Sequence, residues 1–463
     1  MNLSEIKVEA ISASTAPASV AGSVVTEPAK ELVVRDVADV VVVGGGPGGI
    51  GAAVAAARNG AKTILVERYG CLGGMATGGL VTIIPNMCDD EGNVLIRGIN
   101  EEMVQRLRDR NSCYHPPKEA WGSTDPEIVR KYSDLSMFFG RDRIIYSVHV
   151  DAEELKCVCD DMVEEAGVKT YLHAWGTSVI VDAKKKVSGI VFESKSGRQA
   201  ILAKVVIDST GDGDLLPSAG IEFETDTGKG TRISQASHCF WIANVDTEKY
   251  NAWRSSPEGA KQFATQTEEG MKLGAHPRGA LTLLPHQENL RWFWPREDCD
   301  QIDVESLTKV EFNGRKKMRK TLDYMRANTP GYENSYLVLS SPQLGTRGSR
   351  RMIGEYMLNG DDAVAGKAHG DTVALFPRRG GPHLQVPYRS LIPRGVDGML
   401  VACRASSMDI AVSEGWNLIP HCVAFGQAAG TAAAQAVQAG VAVRDIDIKA
   451  LQTDLRKQDV PLP

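Results

Sequence analysis

The stretch from residue 39 to residue 67 constrains this chain more than any other. A continuous apolar run, Val40 to Val43, leads into Gly44-Gly45-Gly46-Pro47-Gly48-Gly49, then an alanine-rich segment to Arg58, then Thr63-Ile64-Leu65-Val66, stopping at Glu67. Strand, glycine turn, small-residue helix and strand within about thirty residues make a βαβ unit, which commits the fold to a parallel sheet covered by helices. Gly44, Gly46 and Gly49 have a spacing in which each glycine has its own task. The first permits the tight turn, the second lets a pyrophosphate approach the backbone, and the third lets helix and strand pack closely. The amides and dipole at the helix start, where Pro47 and Gly48 stand, hold phosphates. Glu67 and then Arg68 follow the second strand, where a carboxylate accepts hydrogen bonds from a ribose. The unit reads as a dinucleotide site.

Composition narrows the partner. The chain has 463 residues, 43% hydrophobic and 24% charged, the balance of a globular protein rather than a disordered or fibrous one. At roughly 150 residues per domain the length allows about three units. Its 52 basic and 58 acidic residues give a net charge of −6 with no long basic run, so a small-molecule substrate is expected and nucleic acid is not. Nine scattered cysteines include no CxxC pair, so neither a metal site nor a dithiol centre is signalled, and a reducing, cytoplasmic setting is expected. Residues 1–36 lack a basic start and apolar core and read as a flexible extension. Between Glu414 and Arg444 no charged side chain occurs apart from His421, yet Asn417, Gln427, Gln435 and Gln438 make that stretch a buried helix rather than a membrane span.

Further elements follow. Asp151 and Glu154 form a capping pair for a helix over Ala152 to Glu165. Short β-rich runs come next (168–172, 178–181, 187–193, 200–202), then the apolar strand 205–208, closed by the turn Ser209-Thr210-Gly211-Asp212-Gly213-Asp214. Residues 221–385 carry no second glycine fingerprint and are rich in aromatics, among them Phe240, Trp241, Trp253, Trp292, Phe293 and Trp294. A strand at 398–402 and a helix from Pro420, dense in Gly426, Ala428, Ala429 and Gly430, complete the pattern.

With Gly70-Cys71-Leu72-Gly73-Gly74-Met75-Ala76-Thr77, the blocks 205–214, 346–356, 387–393 and 425–433 make the chain similar to a known family. It resembles the FAD-dependent oxidoreductases of the glutathione-reductase-like flavoprotein superfamily, in the branch with a Gly-x-Leu-Gly-Gly-Met-x-Thr segment. The resemblance implies an α/β fold: a Rossmann-like FAD-binding domain of glutathione-reductase type, parallel sheet plus β-meander, with an inserted α+β substrate domain. The FAD domain is expected over 37–80, 148–220 and 388–445, the substrate domain over 81–147 and 221–387, and a tail over 446–463. FAD is the implied cofactor. Gly44, Gly46 and Gly49 would hold its pyrophosphate and Glu67 its adenosine ribose. Gly73, Gly74, Met75 and Thr77 would line the run towards the flavin, with Thr210, Gly211 and Asp214 beside it. Gly426 and Gln427 belong to a helix whose positive end would face the isoalloxazine. Relatives often carry an arginine where this chain has Asn417, and aromatic hydroxylases a Gly-Asp pair where it has Cys403-Arg404; the second departure counts against a monooxygenase.

The activity expected is hydride transfer between a small organic substrate and flavin N5, through one site shared with any external electron donor or acceptor. Candidate catalytic residues are His421, as a base beside the helix start, Arg347 as an anion holder, Arg404 and Tyr388; Arg350, Arg351, His149, His383 and Glu414 are weaker ones. An oxygen-using oxidase or monooxygenase and a non-catalytic FAD-binding assembly component are the alternatives, and homo-oligomerisation stays open.

Overall fold

The computed structural model describes residues 29–132, 138–184, 186–226, 230–281, 284 and 287–463. The extension expected over 1–36 lies mostly outside them, and its last four residues are strand. The first strand, β1 (Val33–Val43), is longer than its apolar core. Asp36 keeps the register at the surface by pairing with Lys169, Nζ to Oδ2 2.5 Å, while Val40 to Val43 are buried on both faces. Helix α1 (Pro47–Arg58) and strand β2 (Thr63–Val66) complete the βαβ unit.

Helix α2 (Ala152–Glu165) starts at Asp151, whose Oδ1 accepts from the amides of Glu153 and Glu154. The expected reciprocal bond from Glu154 is missing, because the Asp151 amide donates to the Ser112 carbonyl instead. Four strands follow: β3 (Lys169–Tyr171), β4 (Trp175–Val181), β5 (Val187–Ser194) and β6 (Gly197–Asp208). Strand β6 merges two runs that the sequence separates at Lys204. That side chain points outward and pairs with Asp39 at 2.7 Å, so its charge does not break the strand. The merger joins two sheets into one. Parallel strands run in the order β3-β2-β1-β6, strand β7 (Met399–Val401) joins the end of β6, and antiparallel β5 and β4 continue from its front half.

Helix α3 (Ile419–Ala439) lies beside α1, and both contribute to the core on one face of the sheet. Segments expected elsewhere share that core: the helix Ile99–Asp109 through Met103, Val104 and Leu107, the hairpin 372–387 through Phe376 and Val386, and the helix Ile448–Lys457 through Leu451 and Leu455. The expected tail over 446–463 thus contains a helix, Ile448–Lys457, packed on this core through Leu451 and Leu455. Among the described residues no helix is long and apolar enough to cross a membrane.

A separate antiparallel sheet orders Gly279–Leu281, Arg291–Phe293, Phe240–Ala243 and Tyr336–Ser340. One face, with Phe240, Ile242 and Phe293, packs on Leu322 and Met325 of the helix Val304–Asn328. The other, with Cys239, Trp241 and Trp292, lies over Leu80 and Ala152. Side chains alternate along a strand, so this second face turns towards the parallel-sheet layer.

Candidate cofactor and substrate site

The three fingerprint glycines meet three different surroundings. Gly44 has φ +98°, and a Cβ there would sit 2.4 Å from the Ser209 carbonyl oxygen. At Gly49 a Cβ would be 1.7 Å from the Gly44 carbonyl oxygen. Both are demanded by the close approach of turn, helix and neighbouring strand. Gly46 differs: it is extended at φ −73°, and its Cβ would meet nothing closer than the Gly74 Cα at 3.8 Å. It borders open space.

That space is an open cleft lined by Gly44, Gly46, Pro47, Gly48, Glu67, Arg68, Gly74, Met75, Thr210, Gly211, Asp214 and Arg404, with Trp175, Gln343, Cys403 and Cys422. Twelve residues proposed from sequence thus meet in one place. Glu67 is buried; its Oε2 accepts from the Gly45 amide at 2.5 Å and its Oε1 from the Tyr69 amide at 2.8 Å, while burial holds its pKa above the ordinary carboxylate range. The Arg68 guanidinium lies over the Tyr69 and Trp175 rings, 5.0 and 5.8 Å from their centroids. Trp175 had no signal in the sequence beyond its being an exposed aromatic.

Asp208, fully buried, shapes the turn at the end of β6: Oδ1 accepts from the Thr210 amide and hydroxyl, and Oδ2 from the Leu215 amide. Behind the turn, Arg404 pairs with Asp212, Nη2 to Oδ1 2.6 Å, and donates to the Thr346 hydroxyl at 2.8 Å. Its Nε is buried with no partner among the described residues. Asp214 lies between Arg68 at 3.7 Å and Arg350 at 3.3 Å, yet burial and the neighbouring Asp212 push its pKa up to about 6.

A raised carboxyl pKa means that the folded protein accommodates the neutral acid better. The resulting penalty is absent below the unfolded value near 4, grows as pH rises through 6, and is complete above that. In FAD-free protein Asp214→Asn is therefore expected to be more stable than wild type at pH 7.5, with the advantage shrinking at pH 5. Urea unfolding of both proteins at the two pH values checks this; a difference independent of pH would overturn it.

Other expected residues are placed differently. Gly73, at φ +94°, and Thr77, whose hydroxyl donates to the Leu72 carbonyl at 2.6 Å, build the turn carrying Gly74 and Met75 and do not line the cleft. Gly426 faces α1, since its Cβ would sit 2.0 Å from the Gly48 carbonyl oxygen. Gln427 accepts from the Ile99 amide at 3.0 Å and so points away from the cleft. Tyr388 is buried with its hydroxyl donating to the Val443 carbonyl at 2.7 Å and does not line the cleft. His421 is fully buried edge-on to Phe376, ring centroids 4.4 Å apart; burial and the charge of Arg232 lower its pKa to about 3. The ring is thereby held neutral, and neither of its nitrogens has a partner among the described residues. Arg351 is locked to Asp226 at 2.9 Å and Glu224 at 2.6 Å, and Arg350 to Asp214. His149 stacks edge-on to Phe138, and His383 stands 3.7 Å from Asp89.

Arg347 contrasts with these. Its carbonyl accepts from Asn417 Nδ2 at 3.1 Å, two residues before α3 begins, but its guanidinium makes no hydrogen bond or ion pair among the described residues, and Nε is buried. Burial and the charges of Arg296 and Arg232 lower its pKa to about 10. Asn417, the departure noted above, has a cation brought to it from another element: Arg232 Nη2 donates to its Oδ1 at 2.8 Å, and Arg232 also meets Glu414.

A glycine-rimmed cleft between the start of α1 and the Cys422 end of α3, with Arg68 and Arg404 on its walls, fits an extended dinucleotide diphosphate. Neither helix start carries a side-chain cap, which leaves positive ends for anionic groups. Fold and cleft together define a dinucleotide-binding flavoprotein architecture. Residues 39–455 match the FAD dependent oxidoreductase family, and the chain belongs to it: an oxidoreductase with FAD as its cofactor. Thiamine thiazole synthase of Pyrobaculum aerophilum is 30% identical over 131 residues, 28% of this chain; the match spans 45% of that relative's length. Among solved structures, a geranylgeranyl bacteriochlorophyll reductase-like protein of Thermoplasma acidophilum is 15% identical with a TM-score of 0.47, covering 91% of this chain and 83% of its own. The p-nitrophenol 4-monooxygenase of Pseudomonas putida is 13% identical with a TM-score of 0.48, covering 92% and 85%.

Proposed function

We propose that this oxidoreductase transfers a hydride between a small organic anion and FAD, as a dehydrogenase or the corresponding reductase. The observation that carries the reading is Arg347: a partly buried guanidinium without an ion partner, its Nε buried and its backbone tied through Asn417 to the start of α3. A partly desolvated cation with unpaired donors favours an anionic partner, and a substrate carboxylate or enolate supplies one. FAD, when bound, supplies the two-electron chemistry. The protein's own share is position and charge. Arg347 orients the anion, the uncapped start of α3 stabilises negative charge at that end of the cleft, and the tryptophan-rich sheet face excludes water.

The test is anaerobic mixing of the FAD-loaded protein with a panel of hydroxy acids, amino acids and unsaturated acids, following the visible absorbance. Bleaching by one of them is expected. Absence of bleaching by every member, together with peroxide formation or oxygen incorporation in air once a reductant is supplied, would replace this reading with an oxygen-using one.

A further inference from the structure

The second face of the antiparallel sheet carries more unspent hydrogen-bonding capacity than a protein interior tolerates. Trp241 Nε1, Trp292 Nε1 and Ser341 Oγ are buried, the first and last with no partner among the described residues and the second with only the Cys239 thiol, a weak acceptor, beside it; Arg347 Nε is likewise buried and unpartnered. Register places the first three together. Trp241 pairs with Trp292 on one side and Leu339 on the other, and Ser341 follows Leu339 by two residues, on the same face. Cys239 lies on that face two residues before Trp241, its carbonyl accepting from the Ser341 amide at 2.8 Å. The charge of Arg347 reaches the Cys239 thiol, which burial nonetheless keeps protonated, with a pKa of about 11. The face lies over Leu80 and Val81, which follow the Gly74–Gly79 turn of the cofactor cleft.

More than nine in ten buried polar groups in native proteins are partnered, because an orphaned one pays its desolvation without a bond in return. Three on that face, with the Arg347 guanidinium on the loop that follows its last strand, mark a ligand's position. Their chemistry is one-sided: two indole N–H groups, a guanidinium and a hydroxyl are all able to donate, and the neighbouring thiol is neutral. The indole rings of Trp241 and Trp292, the latter stacked on Trp294 at 4.3 Å, offer apolar surface beside those donors.

Resting on the hydride-transfer reading for its location, we infer that the substrate is a small carboxylate with a second oxygen acceptor on the adjacent carbon, as in a 2-oxo or 2-hydroxy acid. Arg347 takes the carboxylate, the Trp241 and Trp292 N–H groups with Ser341 take the neighbouring oxygen, and the apolar remainder lies on the tryptophans.

Equilibrium binding tests this without turnover. FAD-loaded protein is titrated with pyruvate, oxalate and benzoylformate, and with the amides of the two oxo acids, reading tryptophan emission and the flavin spectrum. At least one acid is expected to bind, its amide at least about tenfold more weakly, with Arg347→Met lowering affinity at least about tenfold and Trp292→Phe, which keeps a smaller aromatic ring and removes the indole N–H, severalfold. FAD content and urea midpoint are measured alongside; if Arg347→Met fails to load, Arg347→Lys, which keeps the charge without the fork, is expected to lose severalfold. The inference is overturned if no acid perturbs either signal up to its solubility limit, if an amide binds as tightly as its acid, or if neither Arg347 variant changes affinity. An acid that binds in this pattern while no compound bleaches the flavin would defeat the hydride reading and leave the ligand class standing. Bleaching by an uncharged compound alone would do the reverse.

Discussion

Gly46→Val is expected to give a protein that folds like wild type and is colourless. The position is extended, at φ −73° and ψ −170°, a conformation that valine adopts without strain. A Cβ there has only the Gly74 Cα at 3.8 Å, which is ordinary contact. The backbone therefore offers a Cβ no obstacle, and the opposing term is valine's poorer N-cap preference, about 1 kcal/mol or less. The branched side chain instead projects into the cleft between the start of α1 and Gly74, where the family's dinucleotide lies, and holds a pyrophosphate away from the backbone. FAD affinity is expected to fall at least about a hundredfold, about 2.7 kcal/mol, with the urea midpoint of FAD-free protein little changed. Measuring both on the same preparation decides the matter. A yellow Gly46→Val protein would show that the cleft is not the cofactor site; a colourless but unfolded one would show that the glycine is needed by the fold. Gly49→Ala is the contrasting control: its Cβ would lie 1.7 Å from a backbone oxygen, so it is expected to lose folded protein and cofactor together.

The second large effect concerns the crossing of α1 and α3. Gly430→Ala improves helix propensity by about 1 kcal/mol, which by itself would stabilise the protein. The crossing reverses the sign. A Cβ at Gly430 would stand 2.2 Å from the Ala52 carbonyl oxygen, just as one at Gly426 would stand 2.0 Å from that of Gly48. In both cases the obstacle is backbone on the first turns of the cofactor helix, which cannot swing aside as a side chain does. A net loss of about 3–5 kcal/mol is expected, read as a lowered urea midpoint, with some FAD affinity lost as α1 shifts. A variant as stable as wild type would mean that the helices separate freely.

These two cases also show what was legible in the sequence. The βαβ unit was readable because its pattern is local: apolar strands buried on both faces, a glycine turn between strand and helix, and an acid at a strand end, although Gly44 is forced by Ser209, just past the end of another strand. The small residues of α3 were visible too, but a helix rich in Gly and Ala serves close packing and ligand approach alike. Only the position of α1 shows that Gly426 belongs to the first, and only the Ile99 amide shows where Gln427 points. His421 looked like a base because its nearest sequence neighbours say nothing about Phe376, which arrives from a hairpin more than forty residues earlier. Trp175 and Gln343 in the cleft wall, and the pairing of Arg404 with Asp212 across 192 residues, depend likewise on chain segments brought together only by folding.

That last pairing has a thermodynamic consequence. Thr346 donates to Asp212 at 3.2 Å and accepts from Arg404, and Ser349 donates to Asp212 at 2.8 Å, so the short loop holding Arg347 is stitched to the turn that borders the cofactor cleft. A ligand that pulls Arg347 into place also steadies Asp212 and Arg404; a dinucleotide that steadies Arg404 also sets the loop. Affinity for the one is thereby linked to occupancy by the other, by the same factor in both directions. With both ligands at the proposed sites they are expected to bind as a cooperative pair joined through this loop, the order of arrival governing the rate of assembly and leaving the free energy of the full complex unchanged.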